Sequence, residues 1–226
     1  MRCFTNAAVS VLAVLLMTAC KGHYSIQGTV DAFGYEGCSM FLVEYTANGV
    51  SIIDSCKVHH SAFRMDGSLD SVRFVMLCKD NTPVLPMYLE KGKTSIVISP
   101  TEGYASGTRQ NDLFYSFLKE KNRIDNRFDD MMQRQLQLVQ ADVIDSDELQ
   151  GVRDSLSDIV RECEDLIASF ILDNSKESVA VGVFSMLLGP ADQMSPLVRR
   201  ILDSAPKSFL KNPTVADYAA KAGYRR

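Results

Sequence analysis

The hydrophobic period of this chain changes once, across residues 99–107, and that change limits the fold more than any other feature. Before it, short runs rich in β-branched and aromatic residues occupy 24–30, 40–45, 50–58, 62–65, 72–77, 86–89 and 94–98. Turn residues separate them: Gly34, Gly37, Asn48-Gly49, Asp66-Gly67, Asp80-Asn81 and Lys91-Gly92. Asn-Gly between two strand-like runs is a strong local hairpin signal, because both residues tolerate positive φ. Strands at this spacing predict an antiparallel sandwich or small barrel. Pro100, Gly103 and Gly107 then mark a loop.

Beyond Gly107 the apolar residues follow helical spacing. Asn111 or Asp112 is a suitable N-cap, and Phe114, Phe117, Leu118, Ile124, Phe128, Met131, Met132, Leu136 and Val139 form one stripe. Asp145-Ser146-Asp147 interrupts it. A second long helix carries Leu149, Val152, Leu156, Ile159, Val160, Cys163, Ile167 and Phe170. Two such helices with a short break make an αα-hairpin, whose charged faces are expected to be solvated. Shorter helices follow at 178–188, at 197–204 behind Ser195-Pro196, and at 214–222 behind Asn212-Pro213, with Gly223 as a C-terminal cap. The expected class is α+β, with an N-terminal antiparallel β-sandwich-like domain (26–107) followed by a helical hairpin and short helices (108–226).

The N-terminus carries a different message. Arg2 is followed by an uncharged apolar run, 7–19, too short to span a bilayer, which needs ~20 apolar residues. It ends Leu16-Met17-Thr18-Ala19-Cys20, which resembles the lipobox of a bacterial lipoprotein, with Met17 where leucine is commonest. The implied processing removes 1–19 as a signal peptide and lipidates Cys20, leaving 20–25 as a tether. Lys21-Gly22-His23 lacks the acidic run that resembles a surface-export signal, which favours a periplasm-facing protein on the outer or inner membrane.

Composition narrows the partners. With 46% hydrophobic and 23% charged residues the chain is an ordinary globular protein. Its net charge is −4, one unit more negative without Arg2, which argues against nucleic acid and against a polybasic membrane contact. The lipid itself must anchor it: one acyl chain holds only marginally, whereas several hold durably.

Ordered signatures in the β half add a family. Tyr24-Ser-Ile-Gln-Gly28, Met40-Phe-Leu-Val, Ile53-Asp54-Ser55-Cys56-Lys57-Val58, Phe63 with Gly67, and Pro86-Met-Tyr-Leu-Glu90-Lys-Gly92 resemble the domain family of unknown function numbered 4369. Ser106-Gly107-Thr108 and Asn111 resemble its closing turn. The resemblance covers about residues 24–107. It implies a Bacteroidota-type envelope lipoprotein; in many such relatives this domain leads, through a helical segment, to a thioredoxin-like domain with a Cys-x-x-Cys motif, and the expectation for this chain is the accessory part without that domain. No Cys-x-x-Cys occurs in this sequence.

Candidate chemistry is sparse. Beyond Cys20, the cysteines are Cys38, Cys56, Cys78 and Cys163. The first three are candidates for a disulfide or redox role in an oxidising envelope, set against buried small hydrophobes. Cys163 fits the buried reading. His59-His60 point opposite ways on a strand and do not chelate one ion, so turn or surface histidines are expected. Asp54-Ser55 and Glu90 are expected to hydrogen-bond backbone. Met131, Met132, Met186 and Met194 are expected to fill core. No nucleophile elbow or phosphate loop is present, and no catalytic residue, cofactor or metal is expected. The leading expectation is a lipid-anchored, non-catalytic binding or scaffold module with an envelope protein partner. The alternatives are an accessory of a thiol-disulfide system and a small-ligand-binding lipoprotein.

Overall fold

The computed structural model describes residues 22–46, 49–141, 147–190 and 193–225. Residues 1–19, Cys20, Lys21, Asn48 and Asp145-Ser146 lie outside the described residues. Eight strands come first: β1 (Gly22–Val30), β2 (Ser39–Thr46), β3 (Gly49–Lys57), β4 (Ala62–Leu69), β5 (Arg73–Lys79), β6 (Thr82–Leu89), β7 (Gly92–Ile98) and β8 (Gly103–Ser106). They form two four-stranded sheets, ordered β4-β1-β7-β8 and β3-β2-β5-β6. Alternate side chains of both sheets meet in one core, including Ile26, Met40, Leu42, Leu77, Met87 and Ile96. The α+β class and sandwich-like architecture are as the period predicted.

Three details differ. β1 begins at Gly22 and pairs Gly22–Ser25 with Leu69–Asp66, so residues 22–25 are strand and not tether. β1 and β7 pair in parallel, Tyr24 with Gly92 through Val30 with Ile98, within otherwise antiparallel sheets. The loop expected at 99–107 contains β8, which pairs with β7 and buries Ala105 completely. Its glycines stand at its ends, where Gly107 turns the chain at φ 90°.

Two glycines explain part of the β1–β4 pairing. Gly28 lies opposite Phe63, and Tyr24 opposite Gly67. A Cβ would lie 2.1 Å from the Phe63 ring at Gly28 and 2.5 Å from the Tyr24 hydroxyl at Gly67. Each ring therefore covers the bare backbone of the opposite strand, which pins the register.

Six helices follow: α1 (Arg109–Gln140), α2 (Asp147–Asp173), α3 (Ser178–Met186), α4 (Pro196–Ser204), α5 (Lys207–Leu210) and α6 (Pro213–Lys221). The predicted caps of α4 and α6 form: Ser195 Oγ accepts from Val198 N at 3.2 Å, and Asn212 Oδ1 from Thr214 N at 3.0 Å. Gly223 takes φ 64° as expected. α5 is a single turn that the period did not reveal. α1 is capped at Thr108, three or four residues before the predicted Asn111 or Asp112, for reasons given below.

The hairpin phase also needs correction. Phe117, Ile124, Leu138, Leu149, Val152 and Ile159 are buried, whereas Met132, Leu136, Val139 and Val160 are exposed. The seam advances by alternating steps of three and four, a 3.5-residue period, so a stripe drawn at 3.6 drifts off it toward the tip. Arg127 and Arg123 of α1 brace the pair on Glu162 of α2 at 2.8 and 3.2 Å. The root of the hairpin joins α3–α6 in a second core around Phe114, Ile171, Phe184, Ile201 and Phe209.

Candidate functional site

The cysteines are dispersed. Cys56 lies opposite Met40, on the inner face of the second sheet, and Cys78 opposite Phe41, on the outer face. β2 runs between their strands, so they are about 9–10 Å apart, beyond the ~7 Å Cα separation that a disulfide can close. Cys38 is hydrogen-bonded through its backbone to Val58, which makes it a diagonal neighbour of Cys56 at about 7–8 Å, also too far. Cys163 lies on the α1-facing side of α2. All four thiols are free, and burial raises those of Cys56, Cys78 and Cys163, which suppresses the nucleophilic thiolate. The Cys38 thiol donates to Gly34 O at 3.1 Å. Cys20 lies outside the described residues.

The remaining candidates serve the fold. Asp54 Oδ2 accepts from the Tyr24 hydroxyl at 2.8 Å. Burial first, and this bond second, push the tyrosine's pKa up. His59 and His60 occupy the β3–β4 turn, where His60 adopts φ 52° and Glu36 accepts from His60 N and Ser61 N at 3.2 and 3.3 Å. Those two bonds hold the Glu36 carboxyl below its ordinary range. Met131 and Met194 are half-buried, but Met132 and Met186 are exposed and fill no core, because each lies off its helix's buried stripe. Among the described residues no three of His, Cys, Asp and Glu converge as metal ligands.

The densest polar constellation joins sheet to helix. Glu90, at the end of β6, accepts from Gln110 N at 2.7 Å and thereby caps α1 from outside its own sequence. Asn111 accepts from Tyr88 N at 2.9 Å and donates to Tyr88 O at 2.8 Å, mimicking a neighbouring strand. It also donates to Thr108 Oγ1 at 2.9 Å. Asp112 Oδ1 reaches back to Gly107 N at 2.8 Å. Gln110 carries the network on: its Nε2 donates to Glu177 at 2.7 Å and its Oε1 accepts from Val179 N at 2.8 Å, fixing the start of α3. Hydrogen bonds from Arg109 and Gln110 hold the Glu177 carboxyl low. Asn111 and Asp112 are thus the third and fourth residues of α1, not its caps. A buried Asn can replace a lost ladder partner, which the local sequence does not announce; Gln110 and Glu177 carried no signal at all.

Beside this joint a groove of about 750 Å³ opens between β8 and the first turns of α1, lined by Tyr104, Asp112, Tyr115, Ser116, Lys119 and Asn122. Two of its polar groups already have partners: Asp112 on Gly107, and the Tyr115 hydroxyl on Pro86 O at 2.7 Å. No helix among the described residues is long and apolar enough to cross a membrane.

Residues 24–114 match the model of a family described as a domain of unknown function, DUF4369. No curated protein and no solved structure matches the chain. The matched stretch ends inside α1, just past Asn111, which is bonded into the sheet, and at Phe114, whose ring packs edge-on against Tyr88 at 5.4 Å.

Proposed function

We propose that residues 24–114, which match the DUF4369 model, form the body of a cell-envelope lipoprotein, lipidated at Cys20, that acts as a non-catalytic binding or scaffold module facing the periplasm. One observation carries this reading. The residues that define the family pattern are engaged in building the fold: Gly28 and Gly67 lie under aromatic rings, Asp54 holds Tyr24, and Glu90 and Asn111 fasten α1. What the chain offers outward is its surface, including a long hairpin fastened to the sandwich at its root.

The test is affinity purification of the full-length anchored protein after crosslinking in the envelope. A reproducible protein partner, lost when exposed residues of the hairpin or sheet are changed, is the expected result. Turnover of any substrate that depends on a residue between 22 and 226 would sink the proposal. The thiol-disulfide alternative draws less support, since burial raises the thiols of Cys56 and Cys78. It predicts a trapped mixed disulfide that disappears in a Cys38→Ser, Cys56→Ser, Cys78→Ser triple variant.

A further inference from the structure

We infer that the end of the sandwich at which β1 begins is seated on the bilayer surface and holds the helical hairpin upright, with its tip pointing away. The inference rests on Cys20 as the anchor. Only Lys21 separates Cys20 from β1, a reach of about 7 Å at full extension. β1 cannot peel away to lengthen it, because it is paired with β4 on one side and β7 on the other from Gly22 and Tyr24 onward. An anchored chain therefore has no slack, and the bilayer lies against whatever surrounds Gly22.

At that end of the sandwich the opposed sheet carries an apolar patch. The Gly22 end holds the β4–β5 turn, through Gly22 opposite Leu69, and the β6–β7 turn, where Gly92 lies opposite Tyr24. Arg73 opposite Leu89 and Tyr45 opposite Val50 bring the starts of β5 and β3 to the same end. The outer face there exposes Tyr45 (60%), Val50 (65%) and Ile52 (62%), with Phe74 (40%) and Val72 (36%) beside them. Phe33 is the exposed large hydrophobic of the described sandwich that lies at the other end. Lys91 and Lys93 are exposed at the β6–β7 turn of the same end, with Asp70 as the exposed acid of these turns; Glu90 is buried in the helix cap. Aromatic and aliphatic side chains with lysines at the same end suit the headgroup region of a bilayer.

The direction of α1 completes the orientation. Asn111 bonds Tyr88 and Tyr115 bonds Pro86. Four helical residues rise about 6 Å and two strand residues span about 7 Å, so α1 runs nearly alongside β6 and away from the anchored end. From the level of Tyr88, β6 continues for about 20 Å and α1 for about 44 Å, so the distal half of the hairpin stands clear of the sandwich.

The chain contains no tryptophan, so Tyr45→Trp, Phe33→Trp and Leu136→Trp each supply a lone reporter. The full-length lipidated proteins are reconstituted into phosphatidylcholine vesicles with and without headgroup-spin-labelled lipid. Tyr45→Trp emission is expected to fall on the order of twofold or more, as insertion of an apolar face ~5–10 Å into the boundary requires, with Phe33→Trp and Leu136→Trp unchanged. Val50→Trp repeats the reading if Tyr45→Trp disturbs its hairpin. Equal quenching at residues 45 and 33, or none at either in protein that floats with the vesicles, overturns the seat and leaves the anchor standing. An unquenched Tyr45→Trp that is shielded from iodide only when other envelope proteins are present identifies a protein occupant and also overturns it. A Cys20→Ser protein that still floats with cell membranes removes the anchor, and the seat falls with it.

Discussion

The Tyr88 hydroxyl is buried, has no hydrogen-bond partner among the described residues, and points at Gly182 of α3, where a Cβ would lie 2.1 Å away. Burial raises the pKa of this group well above that of an ordinary tyrosine. Tyr88→Phe removes an unsatisfied polar atom and is expected to leave stability unchanged or raise it by up to about 1–3 kcal/mol. Gly182→Ala is expected to cost about 1–3 kcal/mol by overpacking, and less in the Tyr88→Phe background. Urea midpoints of the four proteins of that cycle decide it; additive losses would refute the contact. Asp66 supplies a pH dependence. The Arg64 guanidinium, at 2.5 Å, is the main cause holding its carboxyl at about 2 rather than 3.8. A carboxyl depressed on folding stabilises above its unfolded value, and that contribution fades as pH falls from about 4 to about 2. Asp66→Asn should flatten the stability profile over that window, measured by thermal melts. At this scale the sequence showed which residues were special, Gly28 and Gly67 among them, but not why. Their partners Phe63 and Tyr24 are more than thirty residues distant, and only strand pairing brings them together.

Elements depend on two kinds of support. Asn111 is fully buried and satisfies both backbone groups of Tyr88. Asn111→Ala leaves those groups unpaired at the sheet–helix joint and is expected to cost about 2–5 kcal/mol by urea denaturation, with a loss under about 1 kcal/mol ruling the strand-mimicking role out. The hairpin tip has a small core of its own, Leu138, Leu149 and Val152, backed by Leu156. Leu138 is 5% exposed and Leu136 57%. Leu138→Ala should speed amide hydrogen exchange across the distal parts of α1 and α2 without touching the sandwich, while Leu136→Ala should not. The two long helices and their break were legible because they repeat a pattern over many turns. Their phase was not: the difference between 3.5 and 3.6 residues accumulates along a helix of 32 residues and is resolved only by the partner helix. β8 escaped for the opposite reason, since a four-residue strand that opens on one glycine and is followed by another carries too little pattern to outweigh the turn signal.

For the whole molecule, the sandwich core and the helical core meet at Tyr88, Phe114 and Tyr115. A chain ending at Gly107 would uncover Phe74 and Tyr88 and leave Glu90 without Gln110 N. It should bind a hydrophobic dye and lose a sharp thermal transition; a cooperative, dye-free fragment would show that the helices are accessory to the sandwich. The sequence by itself determined the class and order of the elements other than β8 and α5 and the Ser195 and Asn212 caps, because periodicity, capping and turn chemistry act within a few residues. Only the tertiary structure decided the parallel β1–β7 pairing, the cap that Glu90 lends to α1, and the placing of the Tyr45 cluster at the same end of the sandwich as Gly22. Each of these joins groups far apart in the chain, and only the closed sandwich fixes their distance.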